Sequence, residues 1–199
     1  MGGKSQSKKP TSFRRGGNEY RVGDCVLVKL PKGKPGVAKI RGLAPAAGGN
    51  TLPTVEVCWF YRPEETSAGR KQSFHAVQEV FRSDHIDTIE ADTVAEPCEV
   101  HTWEAYMELE EISETDFFSR FTYKAATEEY LPKKIAVHCQ CNLPYTPDEF
   151  MVQCNECAEW FHPACIGLGD IAEEELQKQT SFSCPNCTAV PTSKKQRCS

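Results

Sequence analysis

Seven of the chain's eleven cysteines, with one histidine, fall into four close pairs: Cys139-x-Cys141, Cys154-x2-Cys157, His162-x2-Cys165 and Cys184-x2-Cys187. Thiolate and imidazole are the ligands zinc prefers, and two ligands from one tight turn reach one ion without further ordering of the chain. Eight ligands account for two four-coordinate Zn2+ ions and leave no open position for a catalytic water. A stretch of about fifty residues buries too little apolar surface to be stable alone, so both ions are read as structural cofactors that supply much of its folding energy. His138 adjoins the first pair and reads as a surface or packing residue, not a ninth ligand. Cys25, Cys58, Cys98 and Cys198 are scattered singly; three of them lie where small buried hydrophobes are expected, and Cys198 has no functional account.

The elements around these residues are set by charge and apolar patterning. The 199 residues carry 23 Lys+Arg against 28 Asp+Glu, a net charge of −5 with histidines neutral. Residues 1–18 hold five basic side chains and no acid, and 191–199 hold three more; 19–134 are net −6 and 135–190 net −7. Two acidic modules between basic tails attract cationic peptides and repel a phosphate backbone. Direct DNA contact is therefore assigned only to the tails, which serve equally as solvated ends or nuclear-import signals. No apolar run approaches the about 18 residues needed to span a bilayer, and the first thirty residues lack a secretory pattern. The reading is a soluble intracellular protein with no membrane partner, in which metal binding explains clustered cysteines better than disulfides do.

Residues 1–18, with Phe13 as their one large apolar side chain, read as a disordered basic tail, and 191–199 as another. Short β-prone runs follow at Cys25–Val28, Val37–Ile40 and Val55–Tyr61, the last placing Val55, Val57, Trp59 and Tyr61 on one face. Close-spaced short strands predict a small barrel or sandwich over 19–134. Ser113-Glu114-Thr115-Asp116 resembles a capping box before Phe117, Phe118 and Phe121, whose aromatic density also suits a strand. Asp170 with Glu173 predicts a short helix over 171–178 inside the cysteine-rich module, 135–190. Lys133–His138 contains no Gly/Ser linker, so the two modules are expected to pack together.

Four cysteines, one histidine and three cysteines, with Trp160 two residues before His162 and Phe182 two before Cys184, resemble the PHD finger. The common RING pattern of ubiquitin ligases instead places its histidine fourth, whereas here it is fifth. The resemblance implies a cross-brace: Cys139, Cys141, His162 and Cys165 on one ion, and Cys154, Cys157, Cys184 and Cys187 on the other. It also implies a methyl-lysine cage from Tyr145, Met151 and Trp160. A trimethylammonium has charge but no N–H, so polarisable faces desolvate and attract it where hydrogen-bonding pockets cannot select it. A thioether substitutes for one aromatic wall. Phe150 and Phe161 are core candidates. The implied ligand is the histone H3 N-terminal tail trimethylated at lysine 4, added as a strand to the finger's sheet. Asp148, Glu149 and Glu156 are candidate partners for the tail's arginine and, equally, solvated acids.

Trp59-Phe60-Tyr61-Arg62-Pro63-Glu64-Glu65-Thr66, Phe74-His75 and Glu79–Asp87 resemble a BAH domain. With Asp116–Phe121 and Lys124–Thr127, their order is similar to that of plant BAH–PHD chromatin readers of the Early Bolting in Short Days and Short Life type. The resemblance implies a mainly β chain with short helices, a BAH domain packed on a PHD finger. It also implies a non-enzymatic nuclear reader of H3K4me3 and H3K27me3 that acts on nucleosomes and other chromatin proteins in transcriptional regulation. Trp59 and Tyr61 match two walls of the class's BAH cage, and His85 and Asp87 match its peptide-contacting positions. The third wall of the class is a tyrosine, and this chain has Gly36 there. A RING-like ligase, or a scaffold whose BAH domain binds another chromatin protein while the finger is purely structural, are the rival readings.

Overall fold

The computed structural model describes residues 10–46, 51–179 and 181–189, so the tail at 191–199 and Cys198 lie outside the described residues. The chain divides into two units, one of residues 1–71 and 77–134, the other of 72–76 and 135–199.

The first unit opens on a hairpin, β1 (Ser12–Arg15) and β2 (Asn18–Arg21), where the sequence predicted a disordered tail through residue 18. Gly16 and Gly17 both adopt positive φ, the conformation a tight two-residue hairpin turn demands. Phe13 stacks on Tyr20 at 5.1 Å, and both rings are buried. One aromatic pair across a glycine turn anchors what composition alone marks as unstructured.

Eight strands then form one sheet: β3 (Cys25–Val28), β4 (Gly36–Ala44), β5 (Thr54–Tyr61), β6 (Phe81–Glu90), β7 (Val94–Thr102), β8 (Asp116–Ser119), β9 (Thr122–Lys124) and β10 (Glu129–Leu131). Their order is β10-β9-β6-β5-β4-β3-β7-β8, antiparallel except where β6 meets β9 and β7 meets β8. The central strands are buried on both faces. Val26, Val28, Ala38, Ile40, Val55 and Val57 fill one cluster, while Leu27, Val37, Val80, Cys98 and Phe117 fill another. That is why Cys25-Val26-Leu27-Val28 is a continuous apolar run and not an alternating one.

The expected capping box at Ser113 is a turn into a strand. Asp116 accepts from the backbone N–H and hydroxyl of Ser113, and Phe117 and Phe118 then lie buried in β8. The helix that does form, α1 (Trp103–Met107), is capped by the Thr102 hydroxyl, which accepts from the Ala105 N–H. Arg120 runs over the Trp103 ring and makes a two-pronged ion pair with fully buried Glu79, at 2.8 and 2.9 Å.

The second unit holds a two-stranded ladder, β11 (Val152–Gln153) and β12 (Trp160–Phe161), and two short helices, α2 (Glu173–Gln177) and α3 (Pro185–Thr188). Helix α2 starts two residues later than predicted and is not capped by Asp170; Ala172 occupies the cap without a side-chain bond. Its core is Val152, Cys154, Phe161, Leu176 and Cys184, with Phe150 and Phe182 packed against it.

Candidate functional site

The eight predicted ligands gather into two clusters, Cys139, Cys141, His162 and Cys165, and Cys154, Cys157, Cys184 and Cys187, with all ligand atoms of each cluster within 4.8 Å of one another. The first and third pairs share one cluster and the second and fourth the other, so the pairs interleave. Cys157 Sγ lies 3.9 Å from Cys184 Sγ, and Cys141 Sγ lies 3.3 Å from His162 Nδ1. Ligands at about 2.0–2.3 Å from a tetrahedral zinc stand roughly 3.5–3.8 Å apart, so the residues fit the ion. Local backbone builds these knuckles. Ala158, at φ 59°, donates its N–H to Cys154 O, and the Cys184 N–H donates to Cys154 Sγ.

The electrostatics of each cluster call for a cation. Burial pushes the Cys139 thiol up, but the N–H groups of Cys141 and His162 outweigh it and bring it down to about 6. Cys154 is likewise brought to about 6, against its burial, by the N–H groups of Cys184 and Cys157. Burial and the neighbouring Cys139 thiol then push Cys165 up to about 11, and Cys184 with burial pushes Cys187 up to about 12. A first thiolate is stabilised and further ones are repelled, a conflict that a divalent ion removes. His162 turns its other nitrogen, Nε2, to Glu149 at 3.3 Å, an arrangement that fixes which nitrogen faces the metal. Glu149 is thereby engaged inside the finger, a role its sequence position did not signal.

Beside the first cluster, Tyr145 and Trp160 face each other with ring centroids 6.4 Å apart and planes inclined by 58°. Trp160 is 37% exposed and Met151 only 4%, so the two aromatics form the accessible faces and Met151 lies in the interior. Glu159 accepts from the Trp160 N–H at 2.9 Å and from His138 at 3.0 Å. His138 is thus a packing partner that braces the tryptophan-bearing strand. Glu156 and Asp148 are exposed.

In the first unit, Trp59, Tyr61 and His85 line a single cavity of about 160 Å³ with Leu30, Gly36, Phe60 and Glu65. A bulge creates it. Cys58 pairs with Ile86 but Phe60 with Arg82, so residues 83–85 of β6 stand opposite Trp59 alone. The bulge is stitched by the Ser83 hydroxyl, which donates to Trp59 O at 2.7 Å, and it delivers His85 Nδ1 to within 2.7 Å of Tyr61 Oη. Tyr61 is backed by Tyr123, edge to face at 5.3 Å. A Cβ on Gly36 would lie 2.7 Å from Trp59 Cζ3, so the glycine is what lets the indole lie where it does. Asp87 is not among the lining residues; it is exposed on β6 and accepts from the Thr88 N–H. Glu65 was not singled out from the sequence, although it stands three residues after Arg62, whose N–H its carboxylate accepts at 2.5 Å in a capping box.

Residues 18–134 match the BAH domain family and residues 137–187 the PHD-finger family. Among similar proteins of Arabidopsis thaliana, the chromatin remodeling protein EBS is 42% identical over 179 residues, covering 89% of this chain and 74% of that protein. The chromatin remodeling protein SHL is 44% identical over 168 residues, covering 83% and 72%. Over the finger alone, the zebrafish lysine-specific demethylase phf2 is 40% identical across 53 residues, 27% of this chain and 5% of that protein. The crystal structure of the yeast Rsc2 BAH domain shares the fold of the first unit at 19% identity, with a TM-score of 0.50, covering 64% of this chain and 54% of that one.

Proposed function

The chain belongs to the BAH–PHD family of chromatin proteins that includes EBS and SHL, and from that premise we propose that it reads histone H3 trimethylated at lysine 4 through its PHD finger. The observation that carries this is the open angle between Tyr145 and Trp160, two aromatic faces 6.4 Å apart at the surface of an acidic module. A trimethylammonium between them exchanges water for two π faces at no cost in hydrogen bonds. Among the described residues β11 pairs only with β12, so its outer edge is free to accept the H3 tail as a further strand. Glu159 and His138 hold the tryptophan; Tyr145 supplies the second face; the two zinc ions, when bound, hold the loops that carry both. Glu149 already meets His162, and exposed Glu156 is the acid assigned to the tail's arginine.

The cavity built on Trp59 and Tyr61 is assigned to a second methylated lysine, the one at position 27 of the H3 tail. His85 there positions Tyr61 through its hydroxyl. The protein so read binds and does not catalyse; it works in the nucleus on nucleosomes, with the H3 tail as partner, and contributes to transcriptional regulation. Calorimetric titration of the zinc-loaded chain with H3 N-terminal peptides, unmodified and trimethylated at lysine 4, tests the finger. Preference for the methylated peptide, lost in Trp160→Ala, supports the reading. Equal or absent binding of the two peptides would sink it and move weight to the scaffold reading.

A further inference from the structure

Gly36 and Glu65 change what the cavity of the first unit can select. Its apolar walls are the aromatic faces of Trp59 and Tyr61 with Phe60 and the aliphatic Leu30; Gly36 adds no side chain of its own, and the Trp59 ring and Leu30 lie against it. Glu65 also lines the cavity, and among the described residues the one protein donor that reaches its carboxylate is the Arg62 N–H, on Oε2. That bond orients the carboxylate through Oε2 and leaves Oε1 without a protein donor among the described residues. The walls are held in place: Tyr61 is pinned by His85 and backed by Tyr123, while Trp59 lies against Gly36.

A trimethylammonium offers no N–H and gains most from aromatic faces on every side. A dimethylammonium keeps one N–H, which needs an acceptor once water is removed. An oriented carboxylate beside two aromatic faces supplies one, through a charge-assisted hydrogen bond. We infer that this cavity selects dimethyl-lysine over trimethyl-lysine, Glu65 Oε1 accepting the single N–H while Trp59 and Tyr61 cover the methyl groups. The inference rests on the assignment of the cavity to a methylated lysine and goes beyond it by fixing the methylation state.

The test uses the full zinc-loaded chain in a Trp160→Ala background, which silences the finger. The probes are N-acetylated peptides spanning lysine 27 of histone H3, bearing zero, one, two or three methyl groups on that lysine. The dimethyl peptide is expected to bind about tenfold more tightly than the trimethyl one, the ratio that a charge-assisted hydrogen bond at the low end of its range is worth. Glu65→Gln keeps an acceptor for the Arg62 N–H but removes the charge, and it should bring the two peptides to parity. Trimethyl binding as tight as dimethyl, or tighter, overturns the selectivity and leaves the methyl-lysine assignment standing. Indifference to methylation across all four peptides overturns both.

Discussion

Because Trp160 is 37% exposed and faces Tyr145, alanine at that position removes the aromatic face proposed to bind the methylated lysine without opening an interior cavity. Trp160→Ala should therefore weaken binding of a trimethyl-lysine 4 peptide by about 1–2 kcal/mol, roughly five- to thirtyfold, while thermal stability moves by no more than about 0.5 kcal/mol. Arg120 behaves oppositely. It is the partner of a fully buried carboxylate, Glu79, so Arg120→Ala strands a charge and should cost about 3–5 kcal/mol in denaturant unfolding. Asp116 gives a pH signature: the hydrogen bond to His101, with those from Ser113, holds its carboxyl below the ordinary value. A depressed carboxyl stabilises the fold above its unfolded pKa of about 3.9 and loses that contribution as pH falls through the folded value, so Asp116→Asn should blunt the stability loss of the first unit below about pH 4. At this scale the zinc ligands were fully legible, since metal chemistry dictates both residue type and spacing. Glu149 and Glu159 were not, because each meets a histidine that only the folded backbone brings near, and Glu65 was not, because its local bond to Arg62 does not reveal the cavity it lines.

At the scale of elements, the β5–β6 bulge is the device that makes the cavity, and Gly36 is its weakest point. Gly36→Ala places a methyl against the Trp59 ring and should cost about 1–3 kcal/mol in thermal or chemical unfolding. It should also abolish methyl-lysine binding by the first unit in the peptide titration while leaving the finger's binding intact. Three of the sheet's strands were readable from apolar runs at Cys25–Val28, Val37–Ile40 and Val55–Tyr61, whereas the long β6 and β7 were not. Helix α1 was not, its cap and five residues being too short a signal, and the 12–21 hairpin was hidden by its basic, glycine-rich composition. A bulge, likewise, leaves no trace in alternation until the facing strand is known. Phe13→Ala tests the hairpin: loss of the ring stacked on Tyr20 should destabilise the first unit by about 3 kcal/mol, whereas a disordered tail would leave stability unchanged.

For the molecule as a whole, the two units present two aromatic sites of different build. The finger is held by metal, the eight-stranded unit by two apolar clusters, one on each face of its central strands. Chelation should therefore erase the finger's H3 binding and its tertiary signals while the strand signature of the first unit persists in circular dichroism. The central claim is that the intact protein recognises H3 through trimethylated lysine 4. The most direct measurement is the affinity of the zinc-loaded full chain for mononucleosomes, trimethylated at H3 lysine 4 or unmodified, at one fixed salt concentration. The account predicts tighter binding to the methylated nucleosome, by about fivefold or more, and parity in Trp160→Ala. Equal binding of both nucleosomes by the unaltered protein would contradict it.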